Sequence, residues 1–248
     1  MNFFKKLLFV AAVVLPVTAV QAADISLDKV PRKTTDLVSL QNGAKVFVNY
    51  CLGCHSASFM RYTKLQELNM TQKEIEDNLL LANDDIAETM KSAIDPEQAK
   101  DWFGANPPDL TVIARALSGS GGSGADYVYT LFRSYYRDPV RPTGWNNLVF
   151  PNIGMPHPLW ELQGERRPVF ETRGEHQVFA GRWEQVTDGT MSPAQYDETV
   201  ADLANYLAWM AEPVQNKRIG IGVWVLIFLF VFTLIAWRLN AVYWRDVD

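Results

Sequence analysis

The chain has 248 residues, 48% of them hydrophobic, with a formal net charge of −5. That length allows one ordinary domain plus targeting or membrane segments. The acidic balance argues against nucleic acid as a partner and for a cationic one.

Residues 1–22 read as a secretory signal. Lys5 and Lys6 form the charged start, Leu7 to Val20 is apolar, and Val20-Gln21-Ala22 places small residues before a cut. The apolar stretch is too short for a stable spanning helix. Export would put the following domain in the periplasm. That domain, 23–216, holds 17 Lys and Arg against 26 Asp and Glu. The excess concentrates between Leu65 and Glu97. It suits either a solubilising surface or the steering of a basic partner.

Ala44, Phe47, Val48 and Cys51 recur at helical spacing, with Asn42 as a plausible cap. This helix runs into Cys51-Leu52-Gly53-Cys54-His55, a C-x-x-C-H sequence that is the attachment signature of c-type haem. Thiols three residues apart on one turn reach the two vinyl groups of one porphyrin. The adjacent imidazole of His55 reaches the iron from the same side. A thioredoxin-type redox pair would expect a βαβ context that the sequence does not show. A zinc site would need further ligands, and the chain has two cysteines only.

Thr71-x-x-Glu74 predicts a capped short helix reaching about Asn83. Leu117 to Ala125 is a Gly/Ser run and reads as a flexible loop, since no lysine follows it in P-loop fashion. Iron needs a sixth ligand, and Met60, Met70, Met90, Met155, Met191, Met210, His157 and His176 are available. Met155 is preferred. It lies in Phe150-Pro151-Asn152-Ile153-Gly154-Met155-Pro156-His157-Pro158, a loop by its helix breakers and stiffened by its prolines. A thioether there would raise the reduction potential, and a second histidine would lower it. His157 is the rival, and an open sixth site would suit peroxide chemistry.

Ser192-Pro193-Ala194-Gln195 predicts a capping box. Its helix carries the stripe Tyr196, Val200, Leu203, Leu207 and Met210 and stops before Pro213. Residues 219–237 contain no charge. As helix they span about 28 Å, enough to cross a bilayer core. Residues 238–248 would then form a cytoplasmic tail. The expected fold class is mainly α: a cytochrome c-like haem domain with long loops and one C-terminal transmembrane helix.

The order of these pieces resembles the cytochrome c1 family, the haem subunit of the ubiquinol–cytochrome c reductase (cytochrome bc1 complex). The matching stretches are Cys51-Leu52-Gly53-Cys54-His55-Ser56, Met60-Arg61-Tyr62, Asn106-Pro107-Pro108-Asp109-Leu110, Ala114-Arg115-Ala116, Asp126-Tyr127, Gly154-Met155-Pro156, Asp188-Gly189-Thr190-Met191-Ser192 and Trp209-Met210-Ala211-Glu212-Pro213. The resemblance implies one covalent haem c on Cys51 and Cys54, with His55 and Met155 as axial ligands. It places Pro107 and Pro108 against the haem, and Arg115 or Tyr127 near a propionate. Many family members carry a second basic residue two positions after Arg115, where this chain has Leu117. The resemblance also implies a dimeric complex of the inner membrane, a single-pass anchor and a periplasmic haem domain. Its partners there would be cytochrome b, the Rieske iron–sulfur protein and a soluble or membrane-bound cytochrome c. By itself such a subunit carries electrons and changes no substrate bond. The alternative is a membrane-tethered cytochrome that feeds a terminal oxidase or another redox partner outside such a complex.

Overall fold

The structure, a computed structural model, describes residues 26–246 apart from 82–83, 120 and 174–175. The signal expected at 1–22 and the last two residues of the tail lie outside the described residues.

Helix α1 (Leu37–Tyr50) begins six residues earlier than Asn42 suggests, because Asp36 caps it. The Asp36 carboxylate accepts from the backbone N–H groups of Val38 and Ser39, two of the donors that a helix start leaves free. Asn42 instead sits inside the helix and donates to Asp202. Helix α7 (Pro193–Ala211) starts as the sequence predicts, with Pro193 in its first turn and the reciprocal Ser192–Gln195 capping box. Its stripe residues Tyr196, Val200, Leu203, Leu207 and Met210 are all buried.

α1 and α7 cross at Gly43. A Cβ there would stand 2.2 Å from the Asp202 carbonyl oxygen and 2.5 Å from the Tyr206 Cβ, so only glycine lets the backbones approach this closely. Phe47 and Tyr206 close the crossing with ring centroids 5.7 Å apart. The strap before α1 ties the second layer to this pair. Val30 N–H donates to Asp126, Asp28 N–H to Thr130, and Lys33 N–H to Asn205.

After the haem motif come β1 (Ala57–Arg61), a 3-10 turn (Tyr62–Leu68) and α2 (Gln72–Asn78). α2 has the expected Thr71–Glu74 capping box but ends at Asn78, short of the predicted limit. The short β2 (Thr89–Met90) pairs with β1, and α3 (Pro96–Phe103) follows. The Gly/Ser run is only partly loop. Ser123 caps α5 (Gly124–Phe132), which follows the one-turn α4 (Ile113–Ala116). Gly124 lets the start of α5 approach α4 closely, since a Cβ there would stand 1.9 Å from the Ala114 carbonyl oxygen.

β3 (Tyr135–Arg137) and β4 (Trp145–Asn147) form a small antiparallel pair. α6 (Trp160–Gln163) then leads into a long hairpin of β5 (Gly164–Arg173) and β6 (His176–Asp188). No element is predicted from the sequence over 164–188. Its aromatic face shows why it forms. Phe170 opposes Phe179, Pro168 opposes Trp183, and the Phe179 and Trp183 rings lie 4.9 Å apart. The last helix, α8 (Gln215–Tyr243), has 29 residues and buries none of them. It extends past both ends of the uncharged 219–237 segment. The fold is mainly α, as expected, with the core between α1, α5 and α7.

Candidate functional site

α1 delivers the C-x-x-C-H motif at its C-terminal end. Cys51 is the capping residue, and its N–H bonds the Phe47 carbonyl at 2.9 Å. The next turn is held by Cys54 N–H and His55 N–H, both donating to the Cys51 carbonyl at 3.0 and 2.8 Å. The motif thus occupies the turn that follows the helix rather than the helix itself, and one turn still gathers both sulfurs and the imidazole. Cys51 is buried and Cys54 exposed, and neither is in a disulfide. Burial pushes the Cys51 thiol up to about 12, with the Cys54 sulfur adding to the effect.

His55 is oriented from behind. Its Nδ1 lies 2.8 Å from the Pro108 carbonyl oxygen. A carbonyl only accepts, so the proton sits on Nδ1 and the lone pair of Nε2 is left for a metal. This is the arrangement that metal-ligating histidines use. Burial lowers the pKa of His55, and the Pro108 bond opposes that shift.

The segment carrying Pro108 is locked to the motif by further bonds. Leu110 N–H donates to the Ser56 carbonyl, and Ser58 N–H donates to Asp109 at 2.7 Å. Thr111 donates to the same carboxylate through its N–H and its hydroxyl. Burial raises the pKa of Asp109, and the Thr111 and Ser58 donors outweigh it and hold the group below its usual range. The family resemblance gives Pro107 and Pro108 as haem neighbours. The Pro108 carbonyl as the second bond of His55 was not legible in the sequence.

Met155 lies in the loop between β4 and α6, partly buried against the core. Its carbonyl accepts from the Tyr135 hydroxyl at 3.3 Å. His157, two residues on, is 2% exposed. Its ring stacks on Tyr135, centroids 4.5 Å apart and planes 3° from parallel. Its Nε2 lies 2.9 Å from Gln163 Oε1. Burial lowers its pKa to about 3. Gln163 Oε1 accepts, so Nε2 carries the proton, and the buried Nδ1 has no hydrogen-bond partner.

The other methionines are occupied elsewhere. Met60, Met90 and Met210 are buried in the core. The Tyr206 hydroxyl lies 3.8 Å from the Met90 sulfur, and the Thr199 hydroxyl 3.5 Å from the Met191 sulfur. Met70 is partly buried against the core, and His176 begins β6.

Tyr127, on α5, is half-buried, and burial raises its pKa. Arg115 is paired with Glu212 at 3.0 Å and has a side chain 61% exposed. Glu212 also binds Arg218 of α8 at 2.7 Å, so the residue between α7 and α8 joins both. A groove of about 480 Å³ runs between α1 and α7, lined by Asn42, Lys45, Val46, Leu162, Met191 and Asp202 among others. No residue of the C-x-x-C-H motif lines it. Among the described residues, no group of three His, Cys, Asp or Glu side chains gathers to hold a bare ion. The donors present fit a metal carried by a ring: two thiols on one turn and an imidazole with Nε2 unprotonated.

The sequence model of the Cytochrome C1 family matches residues 28–167 and 177–247. The chain belongs to the cytochrome c1 family. The cytochrome c1 of Allochromatium vinosum is 40% identical over 217 residues, 86% of each chain. A Nitrosomonas europaea protein named ammonia monooxygenase gamma subunit is 39% identical over 243 residues, 98% of each chain. The mitochondrial cytochrome c1 haem protein of Saccharomyces cerevisiae is 25% identical over 241 residues, 88% of this chain and 70% of that one. The family match and the motif order agree with the cytochrome c1 names and make the Nitrosomonas protein cytochrome c1-like. Of the residues outside the family match, 168–173 belong to β5 and His176 begins β6. Cytochrome c1 proteins carry one covalently bound haem c, which accords with Cys51 and Cys54.

Proposed function

We infer that this chain is the electron-carrying haem subunit of a cytochrome bc1 complex. In this reading it takes single electrons from a Rieske iron–sulfur protein and passes them to a cytochrome c. The observation that carries the reading is the His55–Pro108 bond beside the two thiols. It fixes one tautomer and one ring orientation, which a thiol redox pair or a disulfide has no use for.

Cys51 and Cys54 are the residues that would hold the haem through thioethers, with His55 and Met155 as the axial donors. The bound haem supplies a one-electron iron couple whose potential depends on those donors. The chain's own residues do the rest. Pro108 holds the His55 proton on Nδ1. The buried face of α1 keeps water from the Cys51 side. Tyr127 and Arg115 are the available propionate donors, and Arg115 would have to divide its guanidinium between a propionate and Glu212. Electron transfer of this kind asks no side chain to act as acid, base or nucleophile.

α8 anchors the chain in the membrane, and a periplasmic haem domain follows from the signal read at 1–22. Cytochrome b and the Rieske protein are the partners proposed within a dimeric complex. The acidic side chains Glu74, Glu76, Asp77, Asp84 and Asp85 would face a basic acceptor. Purification of the full chain from detergent-solubilised membranes tests the reading. A pigment that acidified acetone does not extract should come with a b-type cytochrome and a Rieske protein. A red chain that arrives without them would point to a tethered cytochrome serving another redox partner, and a colourless chain would end the reading.

A further inference from the structure

We propose that His157 is a positioning residue for the sixth ligand: its buried ring is the post to which the Met155 loop is fixed. The proposal rests on Met155 as that ligand and names what holds it in place. Methionine is unbranched and has three rotatable bonds, so its sulfur reaches one point reliably only if its backbone is fixed. The loop supplies this on both sides.

Upstream, Asn152 N–H donates to the Asn146 side chain at 2.8 Å, and Asn152 takes the left-handed conformation at φ 65°. Downstream, the Met155 carbonyl accepts from the Tyr135 hydroxyl. Tyr135 is itself fully buried, and its ring lies flat on His157. Trp145 and Tyr196 stand edge-on to the imidazole at 5.2 and 6.4 Å, so it cannot turn or slide. Its Nε2–H donates to Gln163 Oε1, and Gln163 in turn donates to the Phe132 carbonyl at 3.4 Å. Pro156 and Pro158 flank His157 and restrict the backbone between the post and the methionine. The two tethers, Tyr135 to Met155 and Gln163 to His157, therefore share one stacked pair of rings. Removing the imidazole should loosen both and let the sulfur leave the iron.

The test uses the full-length, haem-loaded protein in solubilised membranes. Covalent haem is quantified first. The oxidised spectrum is then scanned for the weak band at the red edge of the visible, which reports iron–sulfur ligation. The reduced protein is exposed to carbon monoxide, which a closed six-coordinate site resists. Wild type should show the band and resist the gas, and Met155→Ala should lose the band. His157→Ala should keep its haem, lose much of the band and bind carbon monoxide. Tyr135→Phe, which deletes one hydroxyl, should weaken the band. His157→Gln retains a donor that can face Gln163 and should recover part of it.

If Met155→Ala abolishes the band but His157→Ala and Tyr135→Phe keep it in full and stay inert to the gas, the positioning role is overturned while the ligand assignment stands. If Met155→Ala keeps the band, the ligand assignment itself is wrong and the positioning role goes with it. Should His157→Ala fail to take up haem, Tyr135→Phe decides the question.

Discussion

Replacing Asp126 with asparagine should cost the haem domain about 2 kcal/mol near neutral pH and nothing near pH 2. Asp126 lies in the first turn of α5 and is 4% exposed. Burial works against its charge. The Val30 N–H, the Lys29 ammonium and the Ser123 N–H more than compensate and hold its pKa at about 2, against an ordinary 3.8. A depressed carboxylate contributes stability that is complete above its unfolded pKa and disappears as pH falls through the folded value. The window is therefore about pH 4 down to about pH 2. Holding the carboxyl nearly two pH units below its ordinary value corresponds to roughly 2 kcal/mol. Lys29 contributes little of this, since its side chain is 72% exposed. Most must come from the two backbone donors, one of which ties the strap before α1 to α5. For a domain of this size the loss should lower Tm by roughly 4–8 °C. Thermal unfolding of wild type and Asp126→Asn, followed from pH 7 to pH 2, would measure it. A gap that stays constant across that range, or no gap at pH 7, would refute the reasoning.

Three further outcomes follow from contacts elsewhere. Gly43→Ala should destabilise by about 1–3 kcal/mol or more, because the new methyl meets the backbone of α7 and not a movable side chain; equilibrium unfolding reads it. Ser192→Ala removes one half of the α7 capping box and should cost about 1 kcal/mol, visible as a lower unfolding midpoint. Neutralising Glu74, Glu76 and Asp77 together should slow association with a basic cytochrome c and flatten its dependence on ionic strength; stopped-flow rates at several salt concentrations would show it, and an unchanged slope would remove α2 from the docking surface.

The parts of the fold that were legible in the sequence are those whose signal is local. The Ser192 and Thr71 capping boxes, the α7 stripe and the uncharged anchor segment all concern residues within a few positions of each other. Their physics is complete inside one element. The start of α1 misled because two polar residues stood near it, and Asn42 looked like a cap. Asp36 won because its carboxylate accepts from two N–H groups, whereas Asn42 finds its partner 160 residues away on α7.

The long-range part of the site was hidden for the same reason. The three residues of the haem motif announce themselves because they are four positions apart at most. The partner of His55 is a proline carbonyl 53 residues later, and every residue has a carbonyl, so no residue type marks it. The surroundings of His157 are equally invisible in the sequence. A histidine beside the candidate methionine reads as a rival ligand, and its burial, its stack on Tyr135 and its bond to Gln163 come from residues 6 and 22 positions away. The hairpin of 164–188 has no element predicted for it from the sequence: Pro168 lies inside β5, and charged residues interrupt both strands. Its order comes from cross-strand aromatic pairs and from Arg166, whose guanidinium lies 3.9 Å over the Trp183 ring and donates to the Arg133 and Tyr135 carbonyls at the hairpin's root. That root is also the end of β3 that carries Tyr135. The segment least readable from sequence is thus attached, through the half-buried Arg166, to the ring that bonds the Met155 carbonyl.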